Sequence, residues 1–273
     1  MTPSVVLKFA AKTDTGLVRT HNEDAIAFDE ACNVLVLADG MGGYNAGEVA
    51  SRLATEFVRA ELVQRLAPLS REGPASILQL QKIMREVVGA ANDHILNAAL
   101  AEPAYRGMGT TLVAALFDHD RVVLAHLGDS RCYRFRQGVL TQLTHDHSQV
   151  QEQIDAGLVP PDWGRFAPNK NLITRALGVA AYIDTEISDH VVQEGDLYLL
   201  CSDGLSDMLD ADVMTAMLQA DTDDLELLAE ALVHAANQQG GRDNISVLVA
   251  QVQSCSKSPQ IGTIDRLKNW LSI

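Results

Sequence analysis

The chain has 273 residues, 47% of them hydrophobic and only 5% aromatic, so the starting expectation is one domain with a largely aliphatic core. Its 21 basic against 36 acidic residues leave a formal charge of −15, which repels nucleic-acid phosphates and anionic lipid and argues against either as a general partner. The four cysteines, Cys32, Cys132, Cys201 and Cys255, form no C-x-x-C pair, and the positions where a C-x5-R cysteine phosphatase needs arginine hold Ala38, Gly138, Asp207 and Ile261.

Buried free thiols in a reducing cytosol are the simplest account of those cysteines. Met1–Ala11 lacks the basic start and continuous apolar run of a signal peptide. No segment approaches the roughly 18 apolar residues of a spanning helix. The expectation is a cytoplasmic protein without membrane contact.

In chain order, Val5–Ala11 and Val34–Ala38 are apolar and β-branched and read as buried strands, with a polar loop at Gly16–Asp24 between them. After Gly40–Gly43, the spacing of Val49, Leu53 and Phe57 predicts a helix ending near Leu66. A second helix starts at Pro74, carries Ile77, Leu80, Met84 and Val87 on one face, and runs to about Leu100. Short strands follow at Thr110–Phe117, Arg121–Leu127, Cys132–Arg136 and Val139–Leu143, with turns at Asp118–Asp120 and Gln137-Gly138. Ser148–Gly157 returns to a helical pattern, and Val159–Asn171 is loop-like. Ile183–Val192 and Leu197–Cys201 read as strands, Asp210–Ala220 and Asp224–Gln239 as helices, and Ile245–Val252 as a last strand.

This order lacks the steady β-α alternation of a parallel sheet. Two antiparallel sheets flanked by helices suit it better. Ser254–Pro259 reads as a linker. Beyond it, Ile261, Ile264, Leu267, Trp270 and Leu271 form an amphipathic stripe, read as a helix docked on its own domain in preference to a partner or membrane contact.

Three predicted strands end in an acid beside a glycine: Leu35–Ala38 delivers Asp39 and Gly40, Leu124–Gly128 delivers Asp129, and Leu199–Ser202 delivers Asp203 and Gly204. A fourth acid, Asp243, sits in Gly240–Asn244 just before the last strand. One such Asp-Gly is a turn signal. Several, all after buried strands, mass carboxylates that repel one another unless a cation neutralises them. Magnesium and manganese favour such oxygen ligands. Two metals about 4 Å apart lower the pKa of a bridging water and stabilise phosphoryl oxygens. Arg19, placed among acids in Leu17–Asp24, offers a guanidinium able to grip two phosphate oxygens.

Thr15-Gly16, Arg19–Asp24, Ala38–Gly43, Gly109–Thr111, Gly128–Arg131, Leu143–Ser148, Ile173–Gly178, Cys201–Leu205 and Gly241–Ile245 together resemble, in order, the motifs of the protein phosphatase 2C (PPM) family, in its compact bacterial form. The match covers roughly residues 10 to 252. The resemblance implies an α+β fold, a four-layer α-β-β-α sandwich of two antiparallel sheets flanked by helices. It implies a catalytic domain over 1–253, a flap over about 146–173, and a linker with a short amphipathic helix over 254–273. It further implies a serine/threonine phosphatase holding two to three Mn²⁺ or Mg²⁺ ions, in which metal-activated water attacks the phosphoryl group of phosphoserine or phosphothreonine. Asp39 would bridge two metals and Gly40 would lend its carbonyl. Asp203 and Asp243 would hold one metal, and Glu23, with Asp24 beside it, would act through metal-bound water. Asp129 with Asp203 would form a third site, and Arg19 would bind the substrate phosphate. By the same resemblance the partners are phosphoproteins and a Ser/Thr kinase that the enzyme opposes, and a monomer is the default.

The chain departs from the family pattern at Met41 and Tyr44, where relatives carry a histidine proposed to protonate the leaving group. A metal-bound water is the preferred donor; His147 is an alternative that reads better as structural. Gly40–Asn45 fails G-x-G-x-x-G at its last position, no Walker loop or G-x-S-x-G elbow occurs, and the His-Asp pairs at 119 and 145 lie among strands and turns. The rivals are a pseudophosphatase, which the presence of Asp39, Asp203 and Asp243 disfavours, and a phosphatase of small phosphoesters.

Overall fold

A computed structural model describes residues 5–42, 46–72, 75–160, 167, 170–220 and 224–257. It contains two antiparallel sheets. The first has the order β1 (Val5–Asp14), β11 (Ile245–Cys255), β10 (Leu197–Cys201), β7 (Arg131–Arg136), β8 (Val139–Gln142). The second has the order β2 (Asp24–Asp29), β3 (Val34–Met41), β5 (Leu112–Asp118), β6 (Arg121–Leu127), β9 (Glu186–Val191), and the short β4 (Gly109–Thr110) pairs with the end of β3.

The period of two in the strands sorts side chains into three apolar layers. Along β3, Leu35 and Leu37 face the other sheet, where they meet Tyr198, Leu200, Leu248 and Ala250. Phe117 and Tyr198 close edge to face there, with ring centroids 4.9 Å apart. Val34, Val36 and Ala38 point the opposite way and pack beneath α1 (Ala46–Glu72) and α2 (Ile77–Ala101), on Ala50, Ala54, Val58 and Met84. On the far side, Leu199, Cys201, Val247 and Val249 pack against α5 (Ala211–Leu218) and α6 (Leu225–Gln238) through Met214, Leu228 and Leu232. The result is the expected four-layer α-β-β-α sandwich.

Most expected elements are present with shifted ends. Ser76, Ser148, Asp210 and Asp224 cap α2, α3 (Gln149–Asp155), α5 and α6 by accepting backbone N–H groups. Helix α1 runs past the expected stop at Leu66 and through Pro68. Pro74 lies outside the described residues. Strand β2 begins at the last residue of the expected loop and fills a stretch to which no element was assigned, and Thr111 splits one expected strand into β4 and β5. The one-turn helix α4 (Asp203–Ser206) has no periodic signal of its own. Gln137 and Gly138 both adopt positive φ, 51° and 81°, as a type I′ hairpin turn requires. Strand β11 runs on to Cys255. The amphipathic stripe from Ile261 and the middle of the expected flap lie outside the described residues. The cysteines are free, with Cys132 and Cys201 buried and Cys32 and Cys255 only partly so. Among the described residues no helix is long and apolar enough to cross a membrane.

Candidate metal centre

The acids converge because adjacent strands of both sheets end at one edge of the sandwich. Asp39 stands opposite Asp24 in the β2–β3 register. Its backbone is fixed by three bonds: its N–H donates to Thr111 Oγ1 (2.9 Å), and its carbonyl accepts from Thr111 N–H (2.9 Å) and Thr110 Oγ1 (2.8 Å). Asp129 follows Gly128, whose φ of +103° and close approach to Thr111 leave no place for a side chain: a Cβ there would lie 2.6 Å from Thr111 Cγ2. Asp203 opens α4 directly after β10. Asp243 precedes β11 and accepts the N–H of Asn244 at 2.8 Å.

These carboxyls sense one another. Burial pushes Asp39 well above the usual carboxylate range, and Asp24, Asp203, Asp129 and Asp243 push it further. Burial does the same to Asp203, aided by Asp129, Asp207, Asp243 and Asp24. Asp24 and Asp129 are raised to about 6, again chiefly by burial. Among the described residues, Asp24 Oδ1, Asp129 Oδ1 and Asp203 Oδ1 are buried and find no hydrogen-bond partner. Crowded carboxylates with orphaned oxygens fit hard divalent cations, whose charge removes the repulsion and whose coordination sites take up the free lone pairs. Asp129 and Asp203 also share a cavity of about 220 Å³ with Arg131, Asp146, Lys170 and Asp207.

Arg19 stands at the mouth of this cluster, its side chain 50% exposed, with Nη2 2.6 Å from Asp243 Oδ2. The carboxyl of Glu23 is raised by burial, against the lowering effect of Arg19. Glu23 carbonyl accepts the Gly40 N–H at 3.0 Å. Gly40 is hemmed in by backbone: a Cβ there would lie 2.1 Å from the Gly47 carbonyl oxygen.

A family-level sequence model described as protein phosphatase 2C matches residues 18–245. The chain belongs to the protein phosphatase 2C family. It is 39% identical over 249 residues to the serine/threonine protein phosphatase PstP of Mycobacterium tuberculosis, a match that covers 91% of this chain and 46% of that relative. The chain therefore spans about half the length of that protein. It is 37% identical over 243 residues to the serine/threonine phosphatase stp of Listeria monocytogenes, covering 88% of this chain and 94% of the relative. The crystal structure of the PstP catalytic domain in complex with two manganese ions superposes with a TM-score of 0.78 at 39% identity, covering 92% of this chain and all of that one. Within the protein phosphatase 2C family this chain thus shares the fold of a bacterial catalytic domain whose crystal structure holds two manganese ions.

The fold places Arg19, Glu23, Asp24, Asp39, Gly40, Asp129, Asp203 and Asp243 in one region, as their mutual electrostatic effects record. Sequence reasoning missed the residues that hold them there. Asn244 is 5% exposed and organises the Thr15–Glu23 loop. Its Nδ2 donates to the carbonyls of Thr15 and His21, both at 2.9 Å, and its Oδ1 accepts Glu23 N–H at 2.7 Å. Ser202 donates to Asp24 Oδ2 at 2.7 Å. Arg131 forks onto both oxygens of Asp146, at 2.9 and 3.0 Å from Nε. Asn244, Ser202 and Arg131 lie within motifs already visible in the sequence, but only their hydrogen-bond partners reveal the role. Met41 sits beside Gly109 in the β3–β4 register, and Tyr44 lies outside the described residues. His147 is 6% exposed.

Proposed function

We propose that the chain hydrolyses phosphoserine and phosphothreonine on protein substrates at the acidic edge of its two sheets. The observation that carries this reading is the convergence of Asp24, Asp39, Asp129 and Asp203, three of them with an orphaned buried oxygen, beside the half-exposed Arg19. The catalytic domain is taken to cover residues 1–253, with a flap at about 146–173.

Asp39, the Gly40 carbonyl, Asp203, Asp243 and Glu23 would hold two divalent ions, and Asp129 with Asp203 would hold a third. When bound, the ions supply Lewis acidity and a water of lowered pKa. The protein does the rest. Asn244 fixes the loop that carries Arg19 and Glu23. Arg19 grips the phosphoryl oxygens and aligns the phosphate with the cluster, its charge offsetting that of the dianion. Asp243, at 2.6 Å, orients the guanidinium before substrate arrives. Met41 has no proton to give, and both ring nitrogens of His147 face partners, so the leaving-group oxygen takes its proton from water in the cleft. The enzyme works as a cytoplasmic monomer and opposes a Ser/Thr kinase.

Phosphate release from matched phosphothreonine and phosphotyrosine peptides, with Mn²⁺ present, tests the substrate class. Preference for phosphothreonine supports the reading, and a strong preference for phosphotyrosine overturns it.

A further inference from the structure

Beside the metal cluster, His126 on β6, His147 and Glu186 on β9 form a second titratable group whose ligand atoms lie within 4.8 Å of one another. The backbone decides what each ring presents. His126 Nε2 is 2.9 Å from the Ser130 carbonyl, which can only accept, so Nε2 carries the proton. His147 Nδ1 receives the Gly128 N–H at 3.2 Å, so its lone pair lies there and Nε2 carries the proton. That Nε2 stands 3.3 Å from Glu186 Oε2. A metal bridging this trio would need the Nε2 lone pair of His147, and the Gly128 bond denies it. The two imidazoles stack with ring centroids 4.7 Å apart, and Glu186 faces His147 Nε2 as its acceptor.

His147 also grips the same turn by its main chain. Its N–H donates to the Gly128 carbonyl at 2.7 Å, and its own carbonyl accepts Thr174 N–H at 2.8 Å. Next to it, Ser148 bridges to Ile173. The Gly128–Asp129 turn is thereby clamped on both sides, by His147 and by Thr111, which Gly128 touches closely. Thr111 Oγ1 in turn lies 2.7 Å from Ser130 Oγ.

We infer that His147, oriented by Glu186, is a positioning residue that clamps the Gly128–Asp129 turn and so aims the Asp129 carboxylate at its cation. The inference rests on the proposed role of Asp129. The carboxylate–histidine pair here ends on a backbone amide, an outer support for a residue that itself meets the metal.

Calorimetric titration of the metal-free protein with Mn²⁺ tests this. His147→Ala is expected to weaken the weakest Mn²⁺ step about tenfold while the tighter steps stay within about twofold. His147→Asn, whose Oδ1 replaces Nδ1 as acceptor, is expected to restore that step. Glu186→Gln keeps an acceptor for His147 and is expected to bind like the parent. Three results overturn the inference: unchanged Mn²⁺ binding in His147→Ala, no rescue in His147→Asn, or loss of the weak step in Glu186→Gln, which assigns the metal to the trio itself. Asp129→Asn separates the two readings. If it leaves every Mn²⁺ step intact, the role of Asp129 fails; if it removes the weak step while His147→Ala does not, only the clamp fails.

Discussion

Asp24 and Asp39 stand directly opposite one another in the antiparallel β2–β3 register, two carboxylates where a sheet ordinarily avoids like charges. Burial raises Asp24 to about 6, despite hydrogen bonds from Ser246 and Ser202 that oppose the shift. An unfolded aspartate titrates near 3.9. The native state therefore binds more protons than the unfolded one between roughly pH 4 and 6, and its stability falls as pH rises through that window. Asp129, also at about 6, acts with the same sign. Each contributes on the order of 3 kcal/mol of pH-dependent destabilisation. With chelator present, thermal melts are expected to show a lower Tm at pH 7 than at pH 5. Mn²⁺ is expected to raise Tm more at pH 7, because the ionised carboxylates are the form it binds. Glu186, held low, has the opposite sign, but its effect lies below pH 5.

Arg19 and Asp243 form an exposed pair, with side chains 50% and 28% accessible. Such pairs contribute about 1 kcal/mol or less to stability. Arg19→Ala is expected to leave Tm nearly unchanged and to lower kcat/KM for an aryl phosphate about tenfold or more. Arg19→Lys keeps the charge without the fork and is expected to fall between. Equal kcat/KM in Arg19→Ala and the parent contradicts a phosphate-binding role.

Asn244 makes three hydrogen bonds from a buried position to the loop carrying Arg19 and Glu23. Asn244→Ala strands two carbonyls and an amide, and urea unfolding is expected to show a loss of about 2–4 kcal/mol. A loss below about 1 kcal/mol indicates that the loop is held by other contacts.

Two glycines give a contrast in sign. Gly40→Ala pushes a Cβ to 2.1 Å from the Gly47 carbonyl oxygen, and backbone there cannot yield cheaply. It is expected to lower both Tm and Mn²⁺ affinity. Gly89 lies inside α2, and no neighbouring element among the described residues comes within 4 Å of the place a Cβ would take. Gly89→Ala is therefore expected to raise stability by about 0.5–1 kcal/mol. Urea melts of both variants check the pair.

Asp39, Asp129 and Asp203 stood out in the sequence because each follows an apolar strand. Leu35–Ala38, Leu124–Leu127 and Leu199–Cys201 are continuously apolar and buried on both faces, which marks where each strand must stop. The sandwich was legible from element order and from the resemblance together. Strand β2 was not, because Asp24–Asp29 begins and ends in acid and lies at a sheet edge. Helix α1 continues beyond the expected stop near Leu66 and runs through Pro68 to Glu72. The supports, Asn244, Ser202, Thr111 and His147, act through partners distant in sequence, and a one-dimensional reading does not pair them.

Clustered carboxylates are proposed to make phosphate-ester hydrolysis by this chain metal-dependent. Hydrolysis of a chromogenic aryl phosphate, measured with Mn²⁺, with excess chelator, and in Asp39→Asn, tests it most directly. The prediction is turnover with Mn²⁺ and near-complete loss in the other two conditions. Activity that survives chelation or the Asp39 substitution contradicts it.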